Sequence, residues 1–293
     1  MNANGTSDDM PLEVAETCVK KAIEHGYRIL SLNGGEPLIY TRLTELLEYM
    51  QNTKHPCTDY WLFTSLYPHL SEELAQRILS VFAVVCVSLD GDENSHDQRR
   101  GTGSFQRTYE NIQKLVAMNG RARLMIRAAL TQNQRKEGLG EQVKKIAREL
   151  GVLEVQITNV FPIGRAITME RPTVLHTGQD RLTFENPCGV KNRCGIGSSL
   201  HITPSGDIYP CWGMIGRMES LGNAATDFDS AVAAYLEGAL DEMYSVDARE
   251  KCKDCDVRYL CGGVCFALDQ SDCREIRSSY LGLISRGLIS SGS

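Results

Sequence analysis

The sequence has no apolar run of membrane-spanning length: its longest strongly apolar stretch, Val81 to Leu89, is nine residues, against the roughly 20 that a spanning helix needs. No membrane span is expected. Asn2 to Thr6 offer neither a basic segment nor an apolar one, so no secretory leader is expected and the chain reads as cytoplasmic. Positive charge is not in excess either. With 31 Lys and Arg against 37 Asp and Glu the formal net charge is −6, which supplies no general basic footprint for a phosphate backbone, and nucleic acid is not an expected partner. Cysteine is sparse over the first 187 residues, where only Cys18, Cys57 and Cys86 occur. These three read as ordinary buried or partly exposed thiols.

What is present is material for a sizeable core. A chain of 293 residues, 42% hydrophobic and 23% charged, allows one large domain and a smaller one. Strand-like runs at 28–33, 60–65, 81–90, 123–131 and 152–161 alternate with helical patterns at 11–26, 40–53, 71–80, 104–120 and 137–151. In the first helix Leu12, Ala15, Val19, Ala22 and Ile23 form an apolar stripe, with Pro11 near the first turn and Gly26 as the stop. Such alternation predicts a parallel α/β barrel or a doubly wound sheet. It ceases after Pro162-Ile163-Gly164, and 171–186 reads as a linker, which places a domain boundary near residue 180.

Two turns in the first half fall where an α/β fold binds ligands, at the carboxyl ends of strands. Asn33-Gly34-Gly35-Glu36-Pro37 follows the first strand, and its glycines either let the backbone approach a ligand or simply make a tight turn. Val87-Ser88-Leu89-Asp90-Gly91 closes a later strand and leads to His96-Asp97-Gln98-Arg99-Arg100-Gly101. Together the turns offer backbone amides, a hydroxyl and a guanidinium to a zwitterionic, ribose-bearing ligand. His96, Asp97 and Arg127 also have a plain reading, as paired surface or barrel-rim residues.

Eight of the 11 cysteines lie between Cys188 and Cys273, and in a reducing compartment such a concentration indicates metal. Cys188 and Cys194 precede a predicted hairpin around Pro204-Ser205-Gly206, which brings Cys211 back alongside Cys194. Cys252, Cys255, Cys261, Cys265 and Cys273 follow. Eight thiolates suffice for two four-cysteine sites, and spacing alone leaves iron-sulfur clusters and structural zinc both open.

Gly34-Gly35-Glu36-Pro37 and Ser88-Leu89-Asp90-Gly91 resemble the motifs of the radical SAM superfamily, in its peptide-modifying branch, and the cysteine spacing resembles the SPASM domain that follows such barrels. The resemblance implies a partial (β/α)6 radical SAM barrel over 1–179, lacking its first strand, and a SPASM domain over 180–293. It implies that Gly34, Gly35, Glu36 and Pro37 serve the amino group of S-adenosylmethionine (AdoMet). Ser88 and Arg100 would lie near its ribose or carboxylate, Asp90 in the same cofactor-binding turn, and Gly164 near the adenine. Where many relatives carry Thr-Asn-Gly, this chain has Thr64-Ser65-Leu66. Of two auxiliary [4Fe-4S] clusters, the nearer falls to Cys188, Cys194, Cys211 and Cys265, and the farther to Cys252, Cys255, Cys261 and Cys273. A peptide or protein substrate and a reducing electron donor are the partners implied.

The resemblance departs in two places. The Cys-x3-Cys-x2-Cys triplet that holds the radical-generating cluster does not occur in this sequence. The expectation is that a strand and cluster loop belong just upstream of Met1 and have been lost recently or only apparently; the alternative is a non-catalytic scaffold that recognises a peptide or a partner enzyme. In sulfatase-maturing relatives an aspartate follows the cysteine that closes the hairpin, and Trp212 stands there. Tryptophan cannot accept a proton, so thioether or carbon–carbon crosslinking is expected in preference to formylglycine formation.

Overall fold

The computed structural model describes residues 9–160, 193–194, 196, 199–237, 241–263 and 273–285. The chain divides into two compact units, Met1–Pro172 and Thr173–Ser293. The first holds five parallel strands, β1 (Ile29–Leu32), β2 (Asp59–Thr64), β3 (Val84–Ser88), β4 (Leu124–Leu130) and β5 (Glu154–Asn159), in the order β1-β2-β3-β4-β5. Between them run α1 (Leu12–Glu24, ahead of β1), α2 (Leu43–Asn52), α3 (Glu72–Val81), α4 (Glu93–Arg100), α5 (Ser104–Ala117), α6 (Gln132–Lys136) and α7 (Leu139–Leu150).

Sequential order separates the two architectures that alternation allows. Crossovers between parallel strands are right-handed, so a sheet that never reverses its direction of winding collects its helices on one face. A doubly wound sheet would cover both. The burial pattern agrees: on β2, Tyr60, Leu62 and Thr64 are buried while Trp61 and Phe63 are not fully covered, and on β4 Leu124, Ile126, Ala128 and Leu130 alternate in the same way. The covered face joins Leu46, Leu47, Met50, Ile78, Ile112, Leu115 and Val143 in one core, each large side chain contributing roughly 1.5–3 kcal/mol on burial. The opposite face is left for other work.

Local chemistry sets the helix starts. Ser71 caps α3 by accepting from the Leu74 N–H at 3.1 Å. Thr131 and Gln134 form a reciprocal capping box on α6. At α5 the N-cap is Gly103, which has no side chain, and Asp97 of α4 takes its place: its carboxylate accepts from the N–H groups of Gly103 (2.5 Å) and Phe105 (2.8 Å) and from the Ser104 hydroxyl (3.1 Å). The plain reading of Asp97 therefore holds.

In the second unit β6 (His201–Ile202) and β7 (Asp207–Tyr209) pair antiparallel, with His201 opposite Tyr209. This is the predicted hairpin, and Gly206 at its tip takes φ +87°. A third strand, β8 (Gly222–Asn223), pairs with β7. The helices α8 (Phe228–Leu236), α9 (Asp241–Tyr244), α10 (Arg258–Cys261) and α11 (Cys273–Ser285) follow. Among the described residues no helix is long and apolar enough to cross a membrane.

Candidate functional site

The first turn leaves β1 with bare backbone facing open space. Gly34 takes φ +134°, and nothing lies within 4 Å of where a Cβ would stand. A side chain there would be strained and would also occupy the approach to the peptide group. Asn33 fixes the turn by accepting from the Gly34 N–H at 2.8 Å.

Glu36 points back into the fold. One carboxylate oxygen accepts from the Leu38 N–H at 3.1 Å and from the Thr64 hydroxyl at 2.5 Å. The other accepts from the Ser65 N–H at 2.7 Å and from the Ser65 hydroxyl. The turn after β1 is thus tied to the end of β2, and what the turn presents outward is its main chain.

The second turn is built around Asp90, only 1% exposed. Its Oδ2 accepts from Arg100 Nε at 2.6 Å. Its Oδ1 accepts from the Ala129 N–H at 3.1 Å and lies 3.4 Å from Arg99. With both oxygens engaged, Asp90 acts by holding Arg100, whose side chain stays 30% exposed. Arg99 donates to the Ala129 carbonyl, pinning α4 over β4.

His96 is fully buried; its Nδ1 accepts from the Asp90 N–H at 3.2 Å, and its ring meets Phe105 edge-on. Burial, reinforced by the Arg100 charge, lowers its pKa to about 4. It is a neutral core histidine, so the expectation of a surface or rim position for it is corrected, while its structural reading stands.

Arg127, which the sequence also allows as a paired or barrel-rim residue, lies on the open face of the sheet. Arg127 sits beside Ser88 in the β3–β4 register and beside Gln156 in the β4–β5 register, so a hydroxyl, a guanidinium and a carboxamide form one row across the open face. Below it run Phe63, Cys86, Met125 and Glu154. The Arg127 guanidinium lies 5.5 Å from the centre of the Phe63 ring, and burial lowers its pKa. Burial likewise pushes the Cys86 thiol up to about 11, partly offset by Arg127. The alternation of β4 held the clue, since Met125, Arg127 and Ala129 fall between its buried positions.

In the second unit Cys194 and Cys211 pack around a buried cluster of Ile196, Met214, Tyr235 and Tyr244. Burial, and then the two thiols, raise the pKa of the Tyr244 hydroxyl. The hairpin thus gathers this pair as expected; Cys188, Cys265 and Gly164 lie outside the described residues.

Cys252, Cys255, Cys261 and Cys273 line one pocket, together with Val257, Gly263, Lys251, Arg258 and Arg277. The Cys255 N–H donates to the Cys252 carbonyl at 2.8 Å, folding the first two thiols into a tight turn. Gly262 and Gly263, at φ +69° and +76°, end α10 just after Cys261, and Cys273 opens α11. Val257 and Tyr280 form the small core that supports them. Among the described residues no group of three or more His, Cys, Asp or Glu is arranged to hold a metal ion.

No protein-family model and no curated protein matches the sequence. Solved structures do. The structure of anSMEcpe with bound AdoMet and the Kp18Cys peptide matches with TM-score 0.67 at 17% identity, over 95% of this chain and 90% of that one. SuiB of Streptococcus suis bound to its precursor peptide SuiA matches with TM-score 0.67 at 14% identity, over 88% of this chain and 65% of that one. The same protein bound to S-adenosylmethionine gives TM-score 0.66. At these identities the likeness speaks of the fold. The expected α/β unit with a parallel sheet, followed by a small antiparallel unit, is the fold of this chain, and these structures share it.

Proposed function

We propose that this chain is a radical SAM/SPASM-type iron-sulfur protein whose role is the modification of a peptide or protein, with AdoMet bound at the carboxyl ends of β1 to β4. The observation that carries the reading is the pocket in which Cys252, Cys255, Cys261 and Cys273, spread over 22 positions, come together. Four thiols lining one pocket can satisfy an iron-sulfur cluster or zinc, and the resemblance of the cysteine spacing to the SPASM domain favours the cluster. Cys194 and Cys211, with Cys188 and Cys265, are assigned to the nearer cluster. Bound clusters would supply one-electron transfer, drawing on a reducing partner.

The AdoMet assignment rests on complementary groups. The exposed main chain of Gly34 and Gly35 would take the amino group, with Glu36 and Pro37 holding the turn's shape. Ser88, Arg100 and Arg127 would face the ribose and carboxylate. A guanidinium is suited to a carboxylate because it can donate two parallel hydrogen bonds. A peptide substrate is supported by the fold shared with peptide-bound structures, and fold alone does not choose the reaction. Trp212, exposed and directly after Cys211, supports crosslinking rather than formylglycine formation.

A second reading, a cluster-bearing scaffold that recognises a peptide or partner enzyme, is favoured by one observation: no Cys-x3-Cys-x2-Cys occurs in this sequence. Both readings expect the chain as given to leave AdoMet uncleaved. Anaerobic reconstitution tests the reading that they share. The expected product holds about eight irons with matching sulfide, and Cys255→Ala loses about half of them. Two zinc ions bound without sulfide or charge-transfer absorption would refute the cluster assignment.

A further inference from the structure

Among the described residues the four-cysteine pocket is lined by three cations, Lys251, Arg258 and Arg277, and the Asp256 carboxylate comes within 4.0 Å of the Cys255 sulfur. Arg258 is engaged in the local fold: its Nε lies 3.2 Å from Asp247, and its Nη1 donates to the Cys255 carbonyl at 3.2 Å. Arg277 is placed differently. It follows Cys273 by four positions on α11, so the two side chains lie on one face of that helix. Its Nε and Nη2 each stand 2.8 Å from one oxygen of Asp256. Asp256 is the residue after Cys255, so a two-point clamp ties the charge of Arg277 to the chain that carries one thiol while its helix carries another.

A two-point clamp fixes a guanidinium in orientation as well as distance. An exposed arginine without one would spread its charge over many rotamers, and solvent would screen most of it. The pair is itself about half exposed, at 54% and 49%, so its worth to folding is small. Its consequence for a charge inside the pocket is larger, because the pocket wall is partly apolar, with Val257 and Tyr280 buried behind it.

Resting on the cluster reading above, we propose that Arg277, held by Asp256, is a positioning residue that raises the reduction potential of the cluster bound by Cys252, Cys255, Cys261 and Cys273. Reduction adds one negative charge to a group already negative with its four thiolates. A fixed cation stabilises the reduced form more than the oxidised one, and cluster potentials respond to such nearby charge. The clamp does no folding work that a neutral pair could not do. The guanidinium offsets the Asp256 carboxylate, which lies 4.0 Å from the Cys255 sulfur, and without it that negative charge would stand uncompensated beside the cluster and make the site harder to reduce.

The test uses the full chain, reconstituted anaerobically with iron and sulfide and titrated with dithionite, which passes one electron to each cluster. Midpoints are read by electron paramagnetic resonance at low ionic strength. In Arg277→Gln the iron and sulfide content is expected to stay at the level of the unaltered chain, while one of the two reductive steps moves to more negative potential. Arg277→Lys, which keeps the charge, is expected to move that step less. An unchanged midpoint in a fully loaded Arg277→Gln overturns the proposal. So does equal loss of iron from both variants, which would make Arg277 a packing residue. Failure of the cluster reading shows earlier, as zinc in place of iron in the unaltered chain, and removes the proposal with it.

Discussion

Ser65 holds Glu36 through two of its own atoms, donating its backbone N–H at 2.7 Å and its hydroxyl to the same carboxylate oxygen. The two residues are 29 positions apart, and their bond fastens the glycine turn after β1 to the strand beside it. Ser65→Ala should keep the N–H bond and lose the hydroxyl, at a cost of about 1 kcal/mol. Glu36→Ala removes the acceptor of four donors and should cost roughly 2–3 kcal/mol. If Glu36 serves the site by shaping the turn, AdoMet affinity should fall in the same order, measured by calorimetric titration. Equal affinity in both variants and the unaltered chain would detach Glu36 from the site.

Leu66 occupies the left-handed region of backbone conformation, with φ +54°. Leucine there costs roughly 1–2 kcal/mol in strain. Its side chain is also fully buried, and deleting a buried leucine costs about 2–5 kcal/mol. The larger effect wins, so Leu66→Gly should destabilise the first unit despite relieving the backbone. Urea denaturation decides this; a higher midpoint in the variant would mean that the strain outweighs the packing.

The strands were legible because each is a short apolar run bounded by turn residues, and every one lies within three residues of its expected ends. The exception is instructive. Val81, expected to begin β3, instead ends α3, because Val81 and Phe82 are buried where helix and strand meet and suit either element. Helix α4 left no periodic signal, since Glu-Asn-Ser-His-Asp-Gln-Arg-Arg contains no aliphatic residue. It is held by His96, Arg99 and Arg100 around Asp90, a polar arrangement that only three-dimensional proximity reveals. The grouping of Cys252, Cys255, Cys261 and Cys273, which the family resemblance implied, agrees with the one pocket that they line. The open-face row was not, because choosing the face of β4 on which Arg127 lies requires knowing which side the helices cover.

His96 makes the first unit sensitive to mild acid. Its folded pKa, about 4, lies below the ordinary histidine value, so at neutral pH both folded and unfolded forms are uncharged there and no stability is lost. As pH falls below about 6.5 the unfolded chain takes up a proton that the folded one refuses, and stability drains away until about pH 4. The full loss is on the order of 3 kcal/mol. His96→Asn keeps an acceptor near Nδ1 and removes the titration. Its unfolding free energy should change less between pH 7 and 4 than that of the unaltered chain; parallel pH profiles would refute the assignment.

Arg127 offers a sharper separation between folding and binding. Its guanidinium is partly desolvated beside Cys86 and Phe63; among the described residues no carboxylate pairs with it, and a cation so placed is costly to the fold. The ring contact returns about 0.5–1 kcal/mol. Arg127→Met fills similar volume and keeps the contact with Phe63 through its thioether, so it should leave the melting temperature unchanged or raise it. The same variant should lose affinity for AdoMet by about tenfold or more, because a carboxylate would lose its charged donor. Decarboxylated AdoMet supplies the control, since its affinity should be indifferent to the substitution. A variant that melts lower and binds both ligands equally well would place Arg127 among the structural residues and leave the ligand carboxylate to Arg100.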